Sequence, residues 1–318
     1  MKTSSQRFRP ECPVSIDMGA SLTKDMAICV VVFNPSQSKR IIMNYLYMKN
    51  QFKLHQVPFF TMELVYEGRE PEIKNAFHVH TKSVMFHKEN LFRLLEKKVP
   101  GHFTKLAFLD CDILFKDGSW YEKVSKLLDT HDVVQPFETA YWLDLTYKKT
   151  MLTRKTILHL KDDTWNFNYH PGFAWCMRRD WYRKVGFFDY AVSGSGDTLS
   201  CAAWMKKKFP EKFQSLPTAI KDIYTEFYGQ PSPRITFLKG GELHHMYHGS
   251  RINRQYADRH KILNVKDKIT ELTYKNEDGV FEWKEPKSWN PVFQDYFNGR
   301  QEDELSVEET ITTRSKTS

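Results

Sequence analysis

Apolar runs alternate with helix-patterned segments along the first half of the chain. The run MAICVVVF (26–33) has no polar position in eight residues, which predicts a strand that is buried on both faces. Residues 57–66 and 105–110 predict two further strands, and between the three lie segments 34–52 and 83–98, whose apolar residues recur at helical spacing. The order strand, helix, strand, helix, strand is typical of an α/β fold with a mostly parallel sheet that is flanked by helices.

The first predicted helix has a recognisable start. Asn34 is a favourable N-cap residue, and Pro35 suits the first helical position because its ring fixes the backbone there. Lys88 falls on the apolar face of the second helix. A lysine in that position either extends its charged end into water along the apolar surface or binds a phosphate at the sheet edge, and both interpretations stay open.

The pattern weakens in the second half of the chain, where residues 138–170 are polar and aromatic without a clear period. The other segments predict a short helix at 120–130, a strand at 132–137, a strand with a short helix at 172–189, a helix at 194–209, two short strands in 234–249 and a helix at 251–263. We therefore expect a flexible N-terminal arm of residues 1–24, a single domain of residues 25–298 and a disordered tail of residues 299–318, which is polar and poor in apolar residues.

Composition narrows the class of protein. The chain has 318 residues, 41% of them hydrophobic, and no run approaches the ~20 apolar residues of a membrane helix. The N-terminus lacks the apolar core of a secretory signal, and the five cysteines are scattered, which favours a soluble protein of a reducing compartment, the cytoplasm. The net charge of +8 is spread along the chain rather than concentrated, which argues against a nucleic-acid partner.

Two carboxylates interrupt the otherwise apolar stretch FLDCDILF (108–115). The predicted third strand ends at Asp110, and ligands of open parallel sheets bind at the carboxyl ends of the strands. In a strand, Asp110 and Asp112 point to the same side, where they repel each other unless a cation lies beside them. Mg²⁺ or Mn²⁺ binds such oxygen atoms and keeps positions free for phosphate. The alternative is a solvated turn, which the apolar residues on both sides disfavour.

Two later segments offer partners for this acidic pair. The segment ELHHMYHGSR (242–251) contains His244, His245 and His248, and one neutral imidazole could complete a metal site; a histidine that only packs at a strand end is the alternative. In GSGDT (194–198), Asp197 follows two glycines at a helix start. It is either an ordinary capping residue or a general base that faces a hydroxyl group.

Taken in order, these motifs resemble the metal-dependent glycosyltransferases of the GT-A fold, and within them the galactosyltransferase-like and family-2-like inverting enzymes. The likeness spans about residues 26–265. FLDCDILF matches the DxD motif, and VVVFNPSQSKR (30–40) resembles the first strand and nucleotide-side loop. FHKENLF (86–92) is similar to the helix whose basic residue approaches the donor, and HPGFAWCMRRDWYRKVGFFD (170–189) is similar to the Gly-Gly-Phe segment. GSGDT resembles the turn that carries the acceptor base. HHMYHGSR (244–251) resembles the segment whose histidine completes the metal site.

The resemblance implies roles for individual residues. Asp112 would bind the metal directly, with His248 as a further ligand and His245 as the second choice, while Asp110 would hold the ribose or metal-bound waters. Asp197 would be the catalytic base. The residues implied at the nucleoside are Phe33, Asn34 and Glu63, and those implied at the diphosphate are Lys88 and Arg251.

The implied activity is a hexosyl transfer with inversion. A sugar would move from a nucleotide diphosphate sugar, UDP-sugar being the expected donor, to a hydroxyl group of a glycan, glycoprotein or glycolipid, with Mn²⁺ or Mg²⁺ as cofactor. Residues 25–137 would form the nucleotide-sugar half of the domain and residues 138–298 the acceptor and metal half, with the aromatic stretch 138–170 at the acceptor. Two departures from the family are HPGF in place of Gly-Gly-Phe and a single acidic residue in GSGDT.

Two other functions stay open on the sequence. One is a metal-dependent nuclease or nucleotidyltransferase, which gathers several carboxylates around two metal ions. The four candidates for such a set are Asp110, Asp112, Asp132 and Asp189. The other is a non-catalytic carbohydrate-binding protein with the same fold.

Overall fold

The computed structural model describes residues 25–54, 56–163, 168–207, 216–255 and 258–304. Its strands are β1 (Met26–Phe33), β2 (Phe59–Tyr66), β3 (Phe77–Thr81), β4 (Lys105–Leu109), β5 (Ile113–Phe115), β6 (Val133–Gln135), β7 (Thr139–Leu143), β8 (Thr150–Thr156), β9 (Tyr169–His170), β10 (Ala174–Arg178), β11 (Ile235–Phe237), β12 (Glu242–His245), β13 (Thr273–Lys275) and β14 (Phe281–Trp283). Its α-helices are α1 (Lys39–Leu54), α2 (Lys88–Lys98), α3 (Trp120–Leu127), α4 (Arg179–Lys184), α5 (Gly196–Met205), α6 (Lys221–Tyr228), α7 (Ile269–Leu272) and α8 (Pro286–Gly299).

The central sheet has seven strands in the order β3-β2-β1-β4-β10-β6-β11. Strands β3, β2, β1 and β4 pair in parallel, β10 runs antiparallel to both of its neighbours, and β11 is parallel to β6. Six strands therefore share one direction and β10 opposes them. The predicted fold class, α/β with a mostly parallel central sheet flanked by helices, is confirmed.

A second sheet of five strands has the order β5-β12-β7-β8-β9. Three of its strands, β7, β8 and β9, lie within residues 138–170, where the sequence shows no clear period. The exposed and buried positions of β8 alternate only in part, since its first two residues are both exposed. A strand of that kind carries a weak hydrophobic signal, which explains why the sequence pattern did not predict it. Strands β13 and β14 form a separate antiparallel pair.

Apolar cores lie on both faces of the central sheet, and β1 contributes to both. Ala27, Cys29 and Val31 join the core that contains residues of α2, α4, α5 and α8, whereas Ile28 and Val30 join the core beneath α1, α3 and the second sheet. Because successive side chains of a strand point to opposite faces, a strand covered on both sides has no place for a polar residue. Burial on both faces therefore explains why the apolar run of β1 is uninterrupted.

Helix α1 begins later than the sequence predicts. It starts at Lys39, and Asn34 is not its cap: the side-chain oxygen of Asn34 accepts the N–H of Ser38 at 2.9 Å. The N–H groups of Lys39 and Arg40 instead donate to the carboxylate of Asp303 at 3.0 and 2.8 Å. Because this cap comes from the far end of the chain, the local sequence could not show it.

Two other predicted helices differ from the structure. Helix α2 starts only at Lys88, and in the preceding stretch the N–H of Val84 donates to the side chain of Asn290 at 2.9 Å. The described residues of the predicted helix 251–263, which are 251–255 and 258–263, contain two short 3₁₀ turns, Ile252–Arg254 and Arg259–Leu263, and no α-helix.

The C-terminal residues extend beyond the predicted domain end. Helix α8 ends at Gly299, and residues 300–304 pack onto the domain with Glu302 buried. The predicted arm of residues 1–24 and the rest of the predicted tail lie outside the described residues. Within the part of the chain that the structure describes, no helix is both long and apolar enough to cross a membrane.

Candidate metal centre and adjoining acidic cluster

The candidate site lies at the carboxyl end of β4. The N–H of Asp110 donates to the carbonyl of Phe173 at 2.8 Å, which extends the pairing with β10 by one residue. The chain then turns through Cys111 into β5 of the second sheet, and the carbonyl of Asp112 accepts the N–H of Met246 at 2.8 Å. Since this turn links two different sheets, the rule that places residues i and i+2 on one side of a strand does not apply, and Asp110 and Asp112 have different partners.

Asp112 lies among histidines from the end of β12. Its Oδ2 atom is 2.8 Å from Nε2 of His248 and 3.6 Å from Nε2 of His245. The two Nε2 atoms are 3.0 Å apart, and all three side chains are buried. The antiparallel pairing of β12 with β5 sets this arrangement, because it aligns His245 with Ile113, the residue after Asp112.

The charge states of Asp112 and His245 favour a bound cation. Burial lowers the pKa of His245 to about 4, so this imidazole is neutral at neutral pH. Burial by itself raises the pKa of Asp112, but attraction to His245 and His248 and hydrogen bonds with them hold it well below its usual range. The Oδ1 atom of Asp112 is buried and has no hydrogen-bond partner among the described residues.

Three potential metal ligands therefore converge. One ligating atom from each of Asp112, His245 and His248 lies within 4.8 Å of the others. Two imidazole Nε2 atoms 3.0 Å apart have room for only one proton between them, so at least one presents a lone pair, and a metal ion in place of that proton would meet both nitrogens and the carboxylate. Two imidazoles and a carboxylate are a common ligand set for a divalent transition metal, so the residues present fit a metal ion.

Charged groups surround His248 on its other side. Glu302 Oε1 is 3.3 Å from Nδ1 of His248 and 2.5 Å from Nη2 of Arg300. Burial by itself raises the pKa of Glu302, but Arg300 and the hydrogen bond with His248 outweigh it and hold the pKa at about 2. The guanidinium of Arg254 also lies against the His248 ring, with Nη2 2.5 Å from Nδ1 and 2.7 Å from Nε2.

A second cluster forms around Lys88, the first residue of α2. Its Nζ donates to Oδ1 of Asp110 at 3.2 Å and lies 3.6 Å from Oδ2 of Asp197 and 3.8 Å from Oε1 of Glu89. Burial raises the pKa of Asp110 to about 6 and that of Glu89 to about 7, although Lys88 lowers both. Burial also raises the pKa of Asp197, but the charge of Lys88, His170 and the N–H of Thr198 together outweigh it, so the net shift is downward and Asp197 is ionised at neutral pH.

Glycines make room for two of these carboxylates. A Cβ atom at Gly172 would lie 2.3 Å from Oδ2 of Asp197 and 3.2 Å from Nε2 of His170. A Cβ atom at Gly196 would lie 2.3 Å from the carboxyl carbon of Glu89. The glycines of HPGF and GSGDT are therefore required by close side-chain approach, and only glycine leaves these carboxylates in place.

The turn before Asp197 is held rigidly. Ser195 has a positive φ of 65°, and its Oγ accepts from Nη2 of Arg259 at 2.7 Å and lies 3.0 Å from Nε2 of His260. The other ring nitrogen of His260 is 2.8 Å from Oγ of Ser193. Asp197 is thus presented from a fixed backbone, and its own Oδ1 accepts the N–H of Thr198 at 2.7 Å.

The residues implied at the nucleoside lie at the carboxyl ends of β1 and β2. Asn34 and Glu63 line a pocket there together with Arg69. Both are engaged within the protein: the Glu63 carboxylate accepts the N–H of Glu72 at 2.7 Å and that of Ile73 at 2.9 Å, and the Asn34 amide donates to the carboxylate of Glu72 at 3.0 Å.

The remaining predicted residues lie apart from the two clusters. The half-buried ring of Phe33 makes edge contacts with the rings of Phe86 and Phe297. Arg251 is exposed at the start of a 3₁₀ turn, and Arg254, three residues later, contacts His248 instead. Of the carboxylates suggested for a nuclease, Asp132 pairs with Arg234 and Asp189 with Arg93, each at 2.8 Å, and neither belongs to the group of potential metal ligands at Asp112.

Sequence reasoning missed four members of the site. Glu89 and His170 stand next to residues of the recognised motifs, in FHKENLF and HPGF, so their position beside those motifs was a signal. His170 is half-buried, and burial of its ring lowers its pKa well below the usual range. Its Nε2 atom is buried and has no hydrogen-bond partner in the described part of the chain. Arg254 stands just after the motif HHMYHGSR, which was also a signal. Glu302 carried no local signal, since it lies 54 positions from His248 in a polar segment.

Comparison with known proteins gives only distant likenesses. No protein-family model matches the chain, and no curated protein matches it. A complex of a Drosophila β1,4-galactosyltransferase 7 variant with manganese, UDP-Gal and xylobiose is 10% identical, with a TM-score of 0.40, over 84% of this chain and 98% of that one. A nucleotide-diphospho-sugar transferase from Desulfovibrio desulfuricans is also 10% identical, with a TM-score of 0.32, over 59% of this chain and 79% of that one. Likenesses at this level give no information on the substrate or reaction of the present chain.

Proposed function

We propose that this protein is a metal-dependent glycosyltransferase that moves a sugar from a nucleotide diphosphate sugar to an acceptor hydroxyl group. The observation that carries the proposal is the meeting of two clusters at one edge of the parallel sheet. The potential metal ligands gather around Asp112, on one side of the turn at Cys111. An ion-pair cluster lies on the other side and consists of Lys88, Asp110 and Asp197. The first cluster suits a diphosphate-bound cation, and the second suits proton transfer.

The metal ion would be held by Asp112, His245 and His248. Two of these ligands are imidazoles, which favours Mn²⁺ over Mg²⁺, an ion that takes oxygen ligands. When bound, such an ion supplies Lewis-acid stabilisation of a diphosphate leaving group. Arg254, beside His248, and Lys88, beside Asp110, would bind the diphosphate oxygens, so that Arg254 takes the place that the sequence suggested for Arg251.

Asp197 would act as the base. It is ionised, its backbone is fixed, and Gly172 opens the space next to its Oδ2 atom. A carboxylate in this position accepts the proton of an acceptor hydroxyl while the oxygen attacks the anomeric carbon from the face opposite the leaving group, which inverts the configuration. A general base of this kind contributes roughly 10²–10⁴-fold to the rate.

The acceptor would bind against aromatic side chains next to Asp197. The rings of Trp142, His170, Phe173 and His245 contact one another, with centroid distances from 3.9 to 6.0 Å. Trp142, Phe173 and His245 are buried and His170 is half-buried, so His170 is the ring of this group that an acceptor would reach. We assign residues 138–170, which contribute β7 to β9, to the acceptor side, for a glycan, glycoprotein or glycolipid and a transferred hexose. UDP-sugars are the donors to test first, with residues 25–137 as the donor half.

A donor screen tests the proposal. Thermal unfolding is measured with each of a panel of nucleoside diphosphate sugars, with and without Mn²⁺, and each stabilising compound is then assayed for transfer and for hydrolysis. A true donor at about 100 times its Kd stabilises the fold by about 2.7 kcal/mol. We expect stabilisation that requires Mn²⁺, turnover by the wild type, and loss of turnover without loss of binding in Asp197→Asn.

The screen also separates the other functions. A stabilising sugar nucleotide that the wild type never turns over would indicate a carbohydrate- or nucleotide-binding protein. Cleavage of nucleic acid, with no response to sugar nucleotides, would indicate a nuclease. Unchanged turnover in Asp197→Asn would refute the assignment of the base.

A further inference from the structure

We propose that the outward face of helix α1 is a docking surface for an anionic lipid membrane. The inference goes beyond the proposed function and does not depend on it, because it rests on the surface of one helix and not on the metal centre. Binding would be peripheral, with α1 lying in the plane of the bilayer surface, since no helix in the described part of the chain is long and apolar enough to span a bilayer.

Exposed apolar side chains cluster on this helix. Eight large hydrophobic residues are exposed among those that the structure describes, and three of them belong to α1: Met43 at 38%, Leu46 at 52% and Leu54 at 68% exposure. The other five lie on five different strands, turns and helices, one on each. Single exposed apolar residues are ordinary on a protein surface, whereas three on one helix indicate a patch that binds a partner.

The exposed residues of α1 share one side of the helix. They are Lys39, Met43, Leu46, Asn50, Lys53 and Leu54. Steps of three and four residues keep side chains on one helical face, so these residues form a stripe about 22 Å long. Tyr45, Met48 and Phe52 occupy the other side and join the core. The helix is therefore attached to the domain through one face and presents a mixed apolar and basic face to the outside.

The charge of α1 selects the kind of partner. The helix contains four basic residues and no acidic residue, so it carries half of the net charge of +8 within 16 residues. Lys39 and Lys53 lie at the two ends of the exposed stripe. Asp303 caps the start of the helix and offsets one of these charges there. An apolar stripe among basic residues complements an anionic lipid surface, where apolar side chains enter the acyl boundary and ammonium groups meet lipid phosphates.

Other occupants fit this face less well. A second copy of the chain, bound by a two-fold contact through α1, would bring the four basic residues of each copy together, and like charges repel. A nucleic acid would account for the basic residues but not for the apolar ones between them, because its backbone is bound through charge. A membrane accounts for both.

The inner side of α1 links this face to the candidate metal centre. The side-chain amide of Asn44 donates to the carbonyl of Tyr247 at 3.0 Å, and the guanidinium of Arg40 lies 5.7 Å from the centroid of the Tyr247 ring. Tyr247 directly precedes His248. Docking through α1 would therefore hold the segment that carries His248 roughly one helix diameter, about 10 Å, from the lipid surface.

Co-sedimentation of the full chain with vesicles tests the proposal. The partition coefficient is measured at about 0.1 M NaCl with vesicles of phosphatidylcholine alone and with vesicles that contain about 30% phosphatidylserine. We expect the wild type to bind the anionic vesicles at least about 10-fold more strongly than the neutral ones. Raising NaCl to about 0.5 M should weaken this binding, because salt screens the lysine and arginine charges.

Single substitutions test the face itself. Leu46→Gln should lower the partition coefficient roughly 10-fold by removing apolar area that enters the bilayer, and Lys53→Gln should lower it roughly 5-fold by removing one charge. Both side chains are exposed and glutamine is a good helix former, so the fold should be kept. The matched controls are Val292→Gln on α8 and Lys98→Gln on α2, helices that pack on the opposite face of the central sheet. We expect both controls to stay within about two-fold of the wild type.

The results that would overturn the proposal are distinct. One is a wild type that binds anionic vesicles no more strongly than neutral ones. Another is equal weakening by Lys53→Gln and Lys98→Gln with no effect of Leu46→Gln, which would indicate diffuse charge attraction. A dimer in light scattering that Leu46→Gln abolishes would show that a second copy covers the face instead. None of these results bears on Mn²⁺ or sugar-nucleotide binding, so failure here leaves the proposed function standing.

Discussion

Replacing Gly172 by alanine puts one methyl group into the space that the carboxylate of Asp197 occupies. The added carbon would lie 2.3 Å from Oδ2 of Asp197 and 3.4 Å from its carboxyl carbon. The backbone of Gly172 is not in the left-handed region, so alanine adds no conformational strain of its own. The substitution therefore changes the position of one carboxylate and leaves its chemistry intact.

The size of the displacement follows from that contact. An ordinary van der Waals contact between carbon and oxygen needs 3.4 Å or more, so Oδ2 must move by about 1 Å, a misplacement that can cost about 10²-fold in rate. Oδ2 now lies 3.6 Å from Nζ of Lys88, and that contact changes with it. We expect kcat to fall about 10²-fold in Gly172→Ala, with the KM for the donor and the Kd for Mn²⁺ within about two-fold of the wild type.

The assay is steady-state transfer, or donor hydrolysis, with the sugar nucleotide that the thermal screen identifies. Gly101→Ala is the matched control, because a Cβ atom at Gly101 has no heavy atom within 4 Å and should leave kcat unchanged. Wild-type kcat in Gly172→Ala would refute the reasoning, since the base would then work from another position or another residue would be the base. A large change in the Mn²⁺ Kd would show that the two clusters are not separable.

Two further predictions concern stability. Burial raises the pKa of Glu89 from 4.5 to about 7. Between these two values the folded protein keeps a proton that the unfolded chain has released. The wild type should therefore lose about 3 kcal/mol of unfolding free energy as the pH rises from about 4.5 to about 7. Urea denaturation should show that Glu89→Gln lacks this loss, and equal pH slopes would contradict the burial argument. Arg179 donates to the buried carboxylate of Glu96 and to the carbonyls of Val99 and Pro100. Because Arg179→Met leaves the Glu96 charge buried without this partner, it should lower the free energy of unfolding by about 3–5 kcal/mol. A loss below about 1 kcal/mol in urea denaturation would contradict this prediction.

The sequence predicted features that depend on neighbouring residues. The uninterrupted run of β1 indicated a strand covered on both faces, and the order of elements indicated the parallel part of the sheet. The family resemblance selected Asp112, His245 and His248, which lie together in the structure. Asp112 directly precedes β5, His245 is the last residue of β12, and His248 follows that strand. Their role as metal ligands stays a prediction.

The sequence could not predict features that depend on distant contacts. The cap of α1 comes from Asp303, and Glu302 reaches His248 from a segment whose polar composition is typical of a tail. A short polar segment can be ordered entirely by ion pairs and caps to the rest of the chain, and such contacts leave no periodic pattern. The turn at Cys111 is another case, because the change from one sheet to another separates two carboxylates that a single strand would have kept together.

The most direct test of the account is the linkage between Mn²⁺ and UDP. The Mn²⁺ Kd is measured by electron paramagnetic resonance with and without saturating UDP, for the wild type and for Asp112→Asn. If a diphosphate binds on a metal ion held at Asp112, UDP should tighten Mn²⁺ binding by roughly 5–150-fold in the wild type, and Asp112→Asn should lose both the binding and the effect of UDP. Mn²⁺ binding that UDP does not change, or that Asp112→Asn retains, would contradict it.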